Sequence, residues 1–126
     1  MIKVHLDFET RSEISVTDVG PWRYSLDPST SILCLCYRVE FPDRKPVSMR
    51  ISHNTLNHLL DDIIAGYNTA YDTVAYIKSL AKNPDVRFYA HNSMFEYCMW
   101  NNILAKAYGF PELKDFDRWE CTASKA

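Results

Sequence analysis

The run Ile2-Lys3-Val4-His5-Leu6-Asp7-Phe8, residues 2–8, decides how this chain begins to fold. Its apolar side chains fall on every second position, with Lys3, His5 and Asp7 between them. A period of two marks a β-strand with one buried and one polar face. Outward from it comes a stretch read as a turn-rich loop, broken by Gly20-Pro21 and by Asp27-Pro28-Ser29. Ser31 to Glu40, rich in Ile, Leu, Cys, Tyr and Val, reads as a second strand. After the turn Pro42-Asp43-Arg44-Lys45-Pro46, Val47 to Ile51 reads as a third. Short links between sequential strands predict an antiparallel meander.

The period then changes. Leu56, Leu59, Leu60, Ile63 and Ile64 follow helical spacing, and Gly66 is the expected stop. Residues 71–82 form a second amphipathic stretch that ends at Asn83-Pro84. Val86 to Ala90 is a compact strand, and Ser93 to Tyr108 a helix closed by Gly109-Phe110-Pro111. Trp119 to Thr122 begins one more strand. The order predicts an α/β fold: a mixed sheet of three antiparallel strands, then helix, strand, helix, strand, in one domain spanning 1–126.

With 126 residues, 47% of them apolar and 24% charged, the chain can bury a real core. Its 14 basic and 16 acidic side chains leave a net charge of -2, which argues against the basic stripe of a duplex-DNA binder. Contact with nucleic acid is therefore expected to be local. Cys34, Cys36, Cys98 and Cys121 lack metal-site spacing, and Cys34 and Cys36, two apart in an apolar run, are expected to be buried free thiols. No run approaches the ~18 apolar residues of a membrane span. The N-terminus lacks a signal-peptide core, so no membrane partner and a cytoplasmic location are expected.

Two constellations carry chemistry. In Asp7-Phe8-Glu9-Thr10 two carboxylates lie two residues apart on a strand, on one face and roughly 6.5–7 Å apart. Like charges placed that way repel, and a divalent cation relieves the repulsion. A solvated strand end accounts for the same spacing. In His91-Asn92-Ser93-Met94-Phe95-Glu96 a strand passes into a helix, with Asn92 and Glu96 four apart on one face. Here the structural alternative is a capping box, Ser93-x-x-Glu96, in which Glu96 reaches back to the helix's own first turn.

Taken together and in this order, the two stretches resemble the first two motifs of the DEDD 3'-to-5' exonucleases. The stretches Leu6 to Arg11, Gly20-Pro21-Trp22-Arg23-Tyr24, Pro28-Ser29-Thr30 and Ala90-His91-Asn92 are similar to the start of bacteriophage family A DNA polymerases. So are Trp100-Asn101-Asn102-Ile103-Leu104 and Arg118-Trp119-Glu120-Cys121-Thr122. The likeness covers most of the chain and is weakest between about 40 and 85. It implies a ribonuclease H-like fold and the N-terminal half of a proofreading exonuclease domain, truncated at its C-terminal side. It also implies roles. Asp7, Glu9 and Glu96 would be the catalytic carboxylates and hold two Mg²⁺ or Mn²⁺ ions, while Thr10 and Asn92 would contact the terminal nucleotide. The substrate would be the 3' end of single-stranded DNA, cleaved to nucleoside monophosphates.

This chain departs from the family pattern twice. The second motif usually ends in Asp, where this chain has Glu96. The third motif, Tyr or His followed four residues later by Asp on a helix, does not follow residue 96. Tyr108 to Glu112 has the spacing, but Gly109 and Pro111 exclude a helix there. His58 to Asp62 precedes the second motif and reads as a solvated helix face. Asp115, Asp117 and Glu120 lie in the wrong element. The two-metal site is thus expected to be incomplete, and the alternative function is a catalytically dead module that binds nucleic acid or a polymerase. A missing helix would bare an apolar sheet face, so a polymerase chain or a second copy is expected at the C-terminal side. Among the aromatics, Trp22, Tyr24 and Tyr37 are candidates for base stacking, with packing the expected job of at least two. His5 is expected to be a satisfied polar residue on the sheet.

Overall fold

The computed structural model describes residues 1–67 and 71–125. Among the described residues five strands and four main helices follow in the order β1 (Ile2–Arg11), α1 (Val16–Leu26), β2 (Ser31–Glu40), β3 (Val47–Ser52), α2 (His53–Ala65), α3 (Asp72–Lys82), β4 (Val86–Ala90), α4 (Ser93–Met99) and β5 (Trp119–Cys121). Helix α4 continues through a π-helical stretch, Trp100–Leu104, into a last turn at Ala105–Ala107. The strands form one mixed sheet in the order β3-β2-β1-β4-β5. β1 runs antiparallel to β2 and parallel to β4, and β4 is parallel to β5. The expected α/β architecture with its antiparallel meander is therefore present.

The alternation seen in the first strand sets the layers. Val4, Leu6 and Phe8 of β1 lie beside Leu35, Tyr37 and Val39 of β2 and Phe88 of β4, all buried. Against them pack Leu56 and Leu59 of α2, Val74, Ile77 and Leu80 of α3, and Met99, Trp100 and Leu104 after α4, in one contiguous core. The opposite face of β1, β2 and β3 stays open. There Asp7, Glu9, Cys36, Arg38, Ser48 and Arg50 are exposed.

Local chemistry explains most of the boundaries. Ser52 caps α2 by accepting from the Thr55 N–H at 3.2 Å. Gly66 closes it with a left-handed φ of 80°, as its position predicted. α3 ends at Asn83, before Pro84.

Two expectations need correction. Residues 16–26 are helical where a loop was expected. Gly20, at φ 83° and ψ 163°, interrupts the helix, and Pro21 restarts it with the φ that a first helical turn requires. Each piece is too short to display a helical period, so packing of Tyr24 rather than pattern holds it. Cys36 is exposed, not buried, because it shares the open face of β2. The open sheet face carries exposed Asp7, Glu9, Arg38, Ser48 and Arg50 over a floor that includes Leu6, Tyr37 and Met49. No helix among the described residues is long and apolar enough to cross a membrane.

Candidate active site

β1 is longer than its parallel neighbour. The last partners between them are His5 and Tyr89, and β4 ends at Ala90. Beyond that point β1 presents backbone donors with no strand beside them, and a buried donor of this kind must find another acceptor. The chain turns through His91 and Asn92 into α4 and lays Glu96 against this vacant edge. Glu96 Oε2 accepts from the Phe8 N–H at 3.3 Å. The carboxylate therefore reaches between the two acidic residues of the first motif. The locus is the carboxyl end of β1, where the sheet changes from antiparallel to parallel neighbours, and open α/β sheets bind ligands at such switch points.

That hydrogen bond excludes the capping-box reading of the second motif. A capping box would place Ser93 at the N-cap and turn Glu96 back on its own helix. Instead Asn92 is the N-cap, its side chain makes no capping bond, and Glu96 serves β1. Glu96 is only 6% exposed. Burial pushes its pKa up to about 8; the Phe8 N–H opposes this, and the charges of Asp7 and Glu9 add to it. A neutral glutamine would satisfy Phe8 equally well. A buried carboxyl crowded by two more carboxylates is costly unless positive charge joins them.

A bulge shapes the neighbouring edge. Glu9 pairs with Cys34 but Thr10 with Ile32, so Leu33 is the extra residue on β2. Thr10 Oγ1 and the Tyr24 hydroxyl are 2.8 Å apart, and the Tyr24 ring lies 5.9 Å from that of Phe95. α1 thus braces both halves of the site, the end of β1 and the start of α4. This role of Tyr24 was not legible from spacing, since α1 itself was not.

No family model and no curated protein matches the chain.

The structure brings Asp7, Glu9 and Glu96 to one end of β1, with Asn92 exposed at the mouth of α4. As placed, the described residues contain no group of three or more His, Cys, Asp or Glu side chains close enough to hold a metal ion. The donor set is of oxygen only, the kind hard divalent cations take, and one member is a buried carboxyl whose proton affinity is raised chiefly by burial and further by the charges of Asp7 and Glu9. His58 is exposed on α2, and Asp62 there accepts from the Tyr71 hydroxyl at 3.3 Å, far in sequence from the β1 end. Tyr24 and Tyr37 are buried and serve packing, while Trp22 is exposed. His5 departs from expectation. Its Nε2 lies 3.3 Å from Glu40 Oε1 but is buried without a well-aligned hydrogen bond.

Proposed function

We propose that this chain carries the first two motifs of a proofreading 3'-to-5' exonuclease of the bacteriophage DNA polymerase type, in a ribonuclease H-like sheet. The observation that carries the reading is the buried Glu96 carboxyl, hydrogen-bonded to Phe8 N–H between Asp7 and Glu9. The strand order β3-β2-β1-β4-β5, in which β2 alone runs against the other four, supports the same fold.

In this reading Asp7, Glu9 and Glu96 hold Mg²⁺ or Mn²⁺, which when bound supplies charge neutralisation and an acidified water. The chain's own residues do the positioning. Glu96 pins the end of β1 and so fixes the spacing of Asp7 and Glu9. Thr10, oriented by Tyr24, and Asn92, whose side chain is not used in capping, flank the place of the terminal nucleotide.

Among the described residues the three carboxylates are not gathered into a closed cluster, and this favours a second reading, a binding module without turnover. Release of deoxynucleotides from a labelled single strand in Mn²⁺ separates the two readings. Slow release abolished by Asp7→Ala supports the enzyme. Release that is absent, or unaffected by Asp7→Ala, removes it.

A further inference from the structure

A shallow trough of about 440 Å³ lies on the open sheet face, lined by His5, Asp7, Cys36, Arg38, Ser48 and Arg50. Its volume is within the ~300–1,000 Å³ range of ligand clefts. Asp7, Cys36 and Arg50 form one row across three strands, since Asp7 pairs with Cys36 and Cys36 with Arg50. Two strand spacings separate the first from the last, about 10 Å. Arg38 stands on the diagonal from Arg50, opposite Ser48. Asp7 on β1 thus stands at one end of the row and Arg50 on β3 at the other, with Arg38 on β2 diagonal to both.

The arginines are not consumed by the fold. Among the described residues Arg50 has no ion pair, and Arg38 has one weak contact, 3.8 Å from Glu40 Oε1. Glu40 partly neutralises Arg38, so Arg50 is the stronger anion attractor. Guanidinium groups bind phosphate through paired N–H donors and take single contacts readily from a flexible strand.

We infer that this trough is a track for the phosphate backbone of single-stranded DNA, with Arg50 and Arg38 holding a phosphodiester upstream of the terminus at Asp7. The inference rests on the reading of Asp7 as the reactive end. Charge complementarity selects the ligand: a chain of net charge -2 offers a run of anionic groups little attraction except in such local places.

Fluorescence anisotropy with a short end-labelled oligothymidylate, in EDTA and over a range of salt, tests it without turnover. Arg50→Ala should weaken binding about fivefold and lower the slope of log affinity against log salt by about 0.7, the loss of one single-strand phosphate contact. Arg50→Lys should keep most of that slope. Arg44→Ala, in the loop before β3, should change neither. No binding by the unmodified chain, an Arg50→Ala variant indistinguishable from it, or an equal loss in Arg44→Ala overturns the track. Inorganic phosphate competing as well as the oligonucleotide marks a site for free anions and also overturns it. Mn²⁺ binding at the carboxylates is measured separately. An Arg50 effect without Mn²⁺ binding keeps the track and removes the exonuclease reading, and the reverse result does the opposite.

Discussion

The carboxylate of Glu96 accepts a hydrogen bond from the backbone N–H of Phe8, 88 residues away in sequence, at 3.3 Å. It joins the helix after β4 to the end of β1 where β1 has outrun β4 and has no strand on that edge. The same contact brings a third carboxyl to two others, and burial chiefly, with their charges, raises its pKa to about 8 against the opposing effect of the Phe8 N–H.

Stability should therefore depend on pH through Glu96. Its folded pKa lies above the ordinary carboxylate value of 4.5, so the folded state holds a proton that the unfolded chain releases. Between those two values stability falls as pH rises. Glu96→Gln should thus raise the melting temperature at pH 8 in the absence of metal, by ~2 kcal/mol of stability. The advantage should vanish near pH 4. A variant equally or less stable than the parent at pH 8 contradicts the assignment.

Divalent metal should bind, but weakly, because three carboxylates are available and they are not pre-gathered. Calorimetric titration with Mn²⁺ at pH 8 should show binding that releases protons, since the ion competes with the Glu96 proton. Asp7→Ala combined with Glu9→Ala should abolish it. Equal binding by that variant sinks the site.

The brace from α1 is open to a double-mutant cycle. Thr10→Val and Tyr24→Phe each remove one partner of the 2.8 Å hydrogen bond. Each should cost about 1 kcal/mol, and the pair less than the sum, because the second change removes a partner already lost. Strict additivity in urea denaturation shows that the contact carries no energy.

Arg118 should matter more to stability than any other exposed-looking arginine. Its guanidinium donates to the carbonyls of Ala81 and Asn83 at 2.7 Å and of Val86 at 3.2 Å, tying the end of α3 to β4. Arg118→Ala should cost ~3 kcal/mol and lower the melting temperature by roughly 10 °C. Arg118→Lys should recover little, since an ammonium cannot span those carbonyls at once. A Lys variant that melts with the parent refutes this account.

Much of this was legible in the chain itself. The alternation of Ile2, Val4, Leu6 and Phe8 determined β1 and its buried face, because a strand's side chains must alternate. The helical spacing around Leu56 to Ile64 determined α2, and Gly66 its end, because only glycine takes the left-handed turn there without strain. The acidic residues of both motifs could be named from their order and from the family they resemble. Tertiary structure alone decided what Glu96 does. Ser93-x-x-Glu96 satisfies a capping box by spacing, and only the length of β1 beyond β4 leaves Phe8 N–H in need of an acceptor. It also decided α1, whose two short pieces around Gly20 and Pro21 have no period of their own and are held by Tyr24 packing against the site. The row Asp7-Cys36-Arg50 is of the same kind. Register across strands brings those residues together, and register is set by which faces are buried, not by distance along the chain.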